Sequence, residues 1–237
     1  MKNNQNERPM KIPWRGAIGL LIIIPVMLAT LLLSAGQFNW WEAWAYTVTG
    51  FLVILGSRAV LILKNPDLAL ERSQAPANED TKEWDKFLMP FTALIAPFIS
   101  WIVAGLDQRF GWSGDLPNWI QIAALVLIQL GSLVGSWAML ANRFFSSQVR
   151  IQTDRGHSVV RGGPYQYVRH PGYAGGLVSW LAAPIFFTSW WVIIPTALAI
   201  TASVIRTSLE DRTLQAELPG YKEYASEVKY RLVPGIW

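Results

Sequence analysis

Apolar residues in this chain come in long unbroken runs rather than at helical or alternating spacing. Residues 16–36 (GAIGLLIIIPVMLATLLLSAG) and 43–63 (AWAYTVTGFLVILGSRAVLIL) each approach the roughly 20 residues that a helix needs to cross a bilayer. Further runs cover 87–106 and 118–141. The apolar region 173–205 is too long for one crossing and is broken by FFTSWWVIIP, which predicts a tight helical hairpin of two shorter spans. The pattern therefore predicts an all-α polytopic membrane protein with about six transmembrane helices, the last two a hairpin.

Composition agrees: 52% of the 237 residues are hydrophobic and 15% charged, an apolar excess beyond that of soluble domains. Cysteine is absent, which excludes disulfides, thiolate nucleophiles, cysteine zinc sites and iron–sulfur clusters. The first run is too long for a cleavable signal peptide, and no small-residue cleavage site precedes Trp40 and Trp41.

Charge orients the spans. Of the 20 lysines and arginines, all but Arg58 and Arg109 fall before the first run, between the second and third, between the fourth and hairpin, or after it. That bias predicts a multi-pass protein with both termini cytoplasmic. Trp40, Trp41, Trp44, Trp112, Trp119, Trp190 and Trp191 fall at outer ends and Trp14, Trp84 and Trp237 near inner ones, the pattern of an interfacial aromatic belt. The charged connector 71–86 reads as a solvated loop.

Two polar stretches remain, 142–172 and 206–237, and they flank the hairpin, so the fold brings both to one membrane face. The chain thus divides into a four-span bundle, 1–141, and a C-terminal region, 142–237, so that any site should be built from the latter at the cytoplasmic face. The first stretch holds both histidines and a Gly-Gly-Pro turn, and VRIQ and SVV read as short extended pieces. Arg169-His170-Pro171 restarts a helix with the proline in its first turn, where free backbone N–H groups attract anions. Arg206 and Glu210 stand four residues apart on one helix face. They form either an interfacial salt bridge with Arg206 reaching the headgroups, or a site in which Arg206 holds an anionic group and Glu210 meets a polar or cationic one.

His170 is either an interfacial helix cap or a site residue. His157 is either a turn residue bonded to Asp154 or a site residue. Two histidines without cysteine supply too few ligands for a metal site. No G-x-S-x-G, P-loop or G-x-G-x-x-G occurs.

The blocks GHSVVRGGPYQYVRHPGYAGG, then R-x-x-x-E, then LPGYKEYASEVKYRLVPGIW resemble the isoprenylcysteine carboxyl methyltransferase and phospholipid methyltransferase family of integral membrane enzymes. The resemblance covers about residues 142–237. It implies S-adenosyl-L-methionine as methyl donor, contacted by His157, Ser158, Val159 and Val160, by Tyr165, by His170, Pro171, Gly172 and Tyr173, and by Glu210. It assigns Arg206 to the substrate. Arg150 stands where part of the family has a donor-contacting glutamine, a departure that leaves its role open. Arg169 reads as a headgroup anchor.

The implied acceptor is lipophilic and meets the enzyme among membrane lipids, not nucleic acid. Arg206 tilts the reading toward the carboxylate of an isoprenylcysteine-like molecule. The alternatives are a phospholipid amine, an NADPH-dependent sterol-type membrane reductase, and a non-enzymatic lipid-binding protein.

Overall fold

The apolar runs fold as helices. The computed structural model describes residues 14–74 and 81–237, and among them no strand occurs. Helix α1 covers Trp14–Ala35, α2 Trp41–Lys64, α3 Pro66–Gln74, α4 Asp85–Phe110 and α5 Asn118–Ala141. After a long irregular segment, α6 covers Pro171–Phe186, α7 Ile193–Glu217 and α8 Tyr221–Glu227. The extended pieces expected at VRIQ and SVV are irregular loop, with the Gln152 backbone N–H donating to His157 Nδ1 at 3.3 Å instead of to a strand partner.

Among the described residues, four helices are long and apolar enough to cross a membrane: α2, α4, α5 and the segment Trp190–Glu217 that contains α7. In α1 the described apolar part is Leu21–Ala35. Helix α6 has 16 residues, about 24 Å at 1.5 Å per residue. The two helices of the last apolar region are thus unequal, 16 residues against 25, so only the first is one of the two shorter spans expected. Apolar content could not foresee this, because α7 continues as one helix through Arg206, Glu210 and Asp211. The chain between them turns at Thr188, whose φ is 49°, and Ser189 Oγ donates to the buried carboxylate of Asp107.

At that turn Leu31, Ala35, Trp40, Ala43, Phe186, Phe187 and Val192 form a continuous core. Trp40 is only 2% exposed, its ring 5.8 Å from that of Phe187, so it belongs to this core and not to the aromatic belt. Trp41, Trp44, Trp112, Trp119, Trp190 and Trp191 are exposed, as a belt requires.

Small residues let α5 and α6 touch backbone to backbone. A Cβ added at Gly131 would stand 2.4 Å from the Gly175 carbonyl oxygen, and one at Gly175 would stand 2.3 Å from that of Gly131. Ser179 Oγ reinforces the contact by donating to the Ile128 carbonyl at 3.0 Å. Membrane helices associate in this way because lipid supplies no hydrophobic drive, so close packing and interhelical hydrogen bonds carry the interface.

Helix α4 carries one irregularity, a π-helical turn at Phe91–Ile95, where the Ala96 N–H bonds to the Phe91 carbonyl. Pro97 follows. Its ring would press on the carbonyl of Ala93 in a regular helix, and it has no N–H to offer that carbonyl. Widening the helix around Ala93 relieves both problems.

Candidate functional site

The two polar stretches meet at one end of the helices and enclose a cavity of about 260 Å³. One wall comes from Asn142 to Gln152, a second from His157 to Val160 with Tyr165, and a third from the first turn of α6. Helix α7 and its continuation close the cavity with Arg206, Glu210, Leu214, Leu218 and Tyr221.

Arg206 is buried, and its partner is not Glu210. Its Nε donates to Asp85 Oδ1 at 2.6 Å and its Nη2 to Asp85 Oδ2 at 3.0 Å, while Nη2 also donates to the Ser147 carbonyl at 2.7 Å. Asp85, in the first turn of α4, is fully buried and also accepts the Val149 N–H at 2.7 Å. The reading of an interfacial Arg206–Glu210 salt bridge is therefore corrected. The helix face is shared, but an aspartate from another helix takes the guanidinium. The guanidinium carbon lies 5.5 Å from the centre of the Tyr173 ring.

Glu210 is bound on one oxygen only. Tyr173 donates its hydroxyl to Oε2 at 2.7 Å, and Oε1 has no hydrogen bond among the described residues. Tyr173 stands on α6 and Glu210 on α7, so this bond joins the two helices at the cavity.

Behind these groups lies a second carboxylate, that of Asp211, which is fully buried. Arg169 grips it with Nε at 2.8 Å and Nη2 at 3.1 Å, and Arg231 donates Nε at 2.9 Å. Tyr221 and Gln215 donate at 3.1 and 2.8 Å, and His170 Nε2 lies 3.1 Å away. Arg169 also donates Nη1 to the carbonyls of Val228 and Lys229, both at 2.8 Å. Arg169 is thus no headgroup anchor. It is 6% exposed and ties the start of α6 to α7 and to the chain after α8.

The connector is not a solvated loop where it is described. Besides Asp85, Glu71 accepts Arg150 Nη2 at 2.7 Å, Thr81 donates to Gln148 Oε1 at 2.9 Å, and the Lys82 N–H bonds to the Val149 carbonyl at 3.1 Å. These contacts clasp the 146–150 loop over the cavity; residues 75–80 of the connector lie outside the described residues.

Arg150 lines the cavity with its guanidinium held between Glu71 and, through Nη1 at 3.0 Å, Asp154. Burial disfavours its charge, and the hydrogen bonds it donates to Asp154 and Glu71 outweigh that and raise its pKa. Asp154 is therefore not the partner of His157. The imidazole Nδ1 instead accepts the Gln152 N–H at 3.3 Å, and the ring packs 4.6 Å from that of Phe144. Burial, then Arg150 and Arg155, push the His157 pKa down to about 4, so the ring is neutral at pH 7. Burial pushes the Tyr165 phenol up, and its hydroxyl accepts Asn142 Nδ2 at 3.2 Å.

Of the residues singled out from sequence, Arg150, His157, Ser158, Val159, Val160, Tyr165, His170, Gly172, Tyr173, Arg206 and Glu210 all face this cavity. Pro171 is fully buried and does not line it; its place is the first turn of α6. Gly172 admits Phe145 to the wall, since a Cβ there would come within 3.0 Å of that ring. Sequence reasoning missed Asp85 and the role of Asp211. The available signals were an acidic residue in the first turn of an apolar helix and a second carboxylate beside Glu210.

Helices buried against one another through small residues, with a polar cavity at one end, define a membrane-protein site. Residues 119–218 match the family model described as phospholipid methyltransferase. The chain is also 36% identical over 61 residues to protein-S-isoprenylcysteine O-methyltransferase B of Arabidopsis thaliana, a match that covers 25% of this chain and 31% of that protein. Over this part the chain is similar to phospholipid methyltransferases and to an isoprenylcysteine O-methyltransferase, in agreement with the resemblance that its motif blocks carry. The family match starts within α5, so it takes in the glycine contact with α6, and it stops at Leu218, the first residue of the tail block.

Proposed function

We propose that the protein is an S-adenosylmethionine-dependent methyltransferase that esterifies the carboxylate of a lipophilic, isoprenylcysteine-like acceptor. One observation carries the reading: three separated sequence blocks, His157–Val160 with Tyr165, His170–Tyr173, and Arg206 with Glu210, converge on one cavity. In this reading α1 and α6 are the remaining two of six crossings, and the cavity and both termini face the cytoplasm, in keeping with the lysine and arginine distribution.

The residues present fit a sulfonium donor with an amino-acid tail. Glu210 presents an oxygen without a hydrogen-bond donor among the described residues, and Val159, Val160, Leu214, Phe144 and Phe145 add apolar and aromatic wall. His157, Ser158, Val159, Val160, Tyr165, His170, Gly172, Tyr173 and Glu210 would hold that donor, which when bound supplies an electrophilic methyl group. Glu210 balances the positive charge, Tyr173 fixes the Glu210 rotamer, and Arg206 receives the acceptor's anionic group. Charge vanishes as the methyl group moves, so a buried, water-poor site favours transfer, and alignment of the reactants supplies much of the rate. None of these residues needs to form a covalent intermediate.

A second reading, methylation of a phospholipid amine, is favoured by one observation. Asp85 already neutralises Arg206, which weakens the case for a carboxylate acceptor. Purified protein incubated with labelled S-adenosylmethionine, a prenylcysteine and a lipid extract separates the two. A base-labile methyl ester on the prenylcysteine is the expected product, and a base-stable N-methyl lipid in its place supports the second reading. Calorimetric affinity for NADPH with none for S-adenosylhomocysteine would sink both and favour the reductase.

A further inference from the structure

Arg206 has two edges, and the protein uses only one. Nε and Nη2 are spent on Asp85 and the Ser147 carbonyl, while Nη1 has no partner among the described residues and the side chain lines the cavity. Arg150, in the same cavity wall, shows what such an arginine can do: it gives Nη2 to Glu71 and Nη1 to a second carboxylate, Asp154.

We infer that Asp85 is a positioning residue that restricts Arg206 to a single-point grip, through Nη1, on one oxygen of the acceptor carboxylate. This rests on the carboxylate reading above. A free guanidinium binds a carboxylate with two parallel hydrogen bonds and engages both oxygens. Methylation needs one oxygen unencumbered. That oxygen forms the new O–CH3 bond with its own electron pair, and the pair of the broken C–S bond leaves with sulfur. The carboxylate and sulfonium charges disappear together and no proton moves. With Asp85 occupying the two-point edge, Nη1 holds one acceptor oxygen and leaves the other free to attack.

Asp85 also lowers the net charge that the acceptor meets. Asp85 and Glu210 surround one guanidinium, so the carboxylate is held weakly enough to keep its nucleophilicity. The arrangement sacrifices ground-state affinity in favour of the transferring state, and removing it should move affinity and rate in opposite senses.

The test uses the full chain in detergent and two probes, an S-prenylated cysteine and its carboxamide. In the absence of donor, Asp85→Asn, which keeps one acceptor oxygen, should bind the carboxylate about tenfold more tightly, the size of one added charge-assisted hydrogen bond. Its affinity for the carboxamide should not change. With donor present, KM and kcat should both fall, kcat by at least about tenfold. A merely structural aspartate would raise KM or leave affinity untouched, and either result overturns the inference while leaving the acceptor reading in place.

Should the Asn variant not fold, the wild type still decides. A single-point grip predicts that exchanging carboxylate for carboxamide weakens binding by about ten- to a hundredfold. A loss beyond about a thousandfold shows a two-point clamp and overturns the inference. No binding of either probe by the wild type sinks the acceptor reading itself, and the inference with it.

Discussion

Arg206 on α7 and Asp85 at the start of α4, 121 residues apart, meet in a two-point ion pair with both side chains buried. Breaking it from one side leaves a buried charge without its partner, at about 3–5 kcal/mol. Arg206→Ala should therefore lower the melting temperature as well as abolish methyl transfer. Adding Asp85→Leu to an Arg206→Met variant should recover most of the stability and none of the activity. In both backgrounds calorimetric affinity for S-adenosylhomocysteine should stay within about threefold of wild type. Loss of that affinity would contradict the division of roles between Arg206 and Glu210.

The α5–α6 contact makes a sharp prediction about three glycines. Gly131→Ala and Gly175→Ala each place a methyl group against a backbone carbonyl that cannot withdraw like a flexible side chain. Each should destabilise by about 1–3 kcal/mol, the usual range for overpacking. Gly176→Ala, next in sequence, meets nothing within 4 Å and should be silent in the same thermal unfolding experiment.

Asp211 joins Arg169, His170, Tyr221 and Arg231, so it holds the first turn of α6 against α8 and the chain beyond it. Asp211→Asn leaves two arginines facing a neutral group and should cost about 3–5 kcal/mol. Limited proteolysis should then cut in residues 228–237 before it cuts elsewhere. Unchanged resistance to protease would show that the tail is held by other means.

His157 supplies a pH dependence with a definite sign. Its folded pKa, about 4, lies below the ordinary histidine value of 6.5, so the unfolded chain takes up the proton first as pH falls. Its contribution to stability is full above pH 6.5 and is lost progressively down to about pH 4. The slope of melting temperature against pH in that window should be shallower in His157→Gln. Parallel slopes for variant and wild type would show that the imidazole is not buried neutral.

Much of this was legible in the sequence, because apolar run length and motif spacing are local properties. Three of the crossing helices appear where the runs place them, and the motif residues face one cavity apart from Pro171. What escaped were pairings between distant elements. Nothing near Arg206 in sequence shows that its counter-ion sits at the start of another helix. Arg169, read as a headgroup anchor, looks interfacial until Asp211 is seen beneath it. Trp40 looked like its neighbours Trp41 and Trp44, and only the approach of Phe187 separates it from them.

The π-turn in α4 sets the angular register between the two ends of that helix. Asp85 lies before Phe91–Ile95, and the stretch that packs deeper in the bundle, with Trp101 and Ala104, lies after it. Each residue advances an α-helix by about 100°. Winding the same residues as a regular α-helix would leave the deeper packing in phase and rotate Asp85 by about that angle away from Arg206. The irregular turn thus acts as the clocking pin of the site, keeping a charge at the end of a helix in step with packing set further along it.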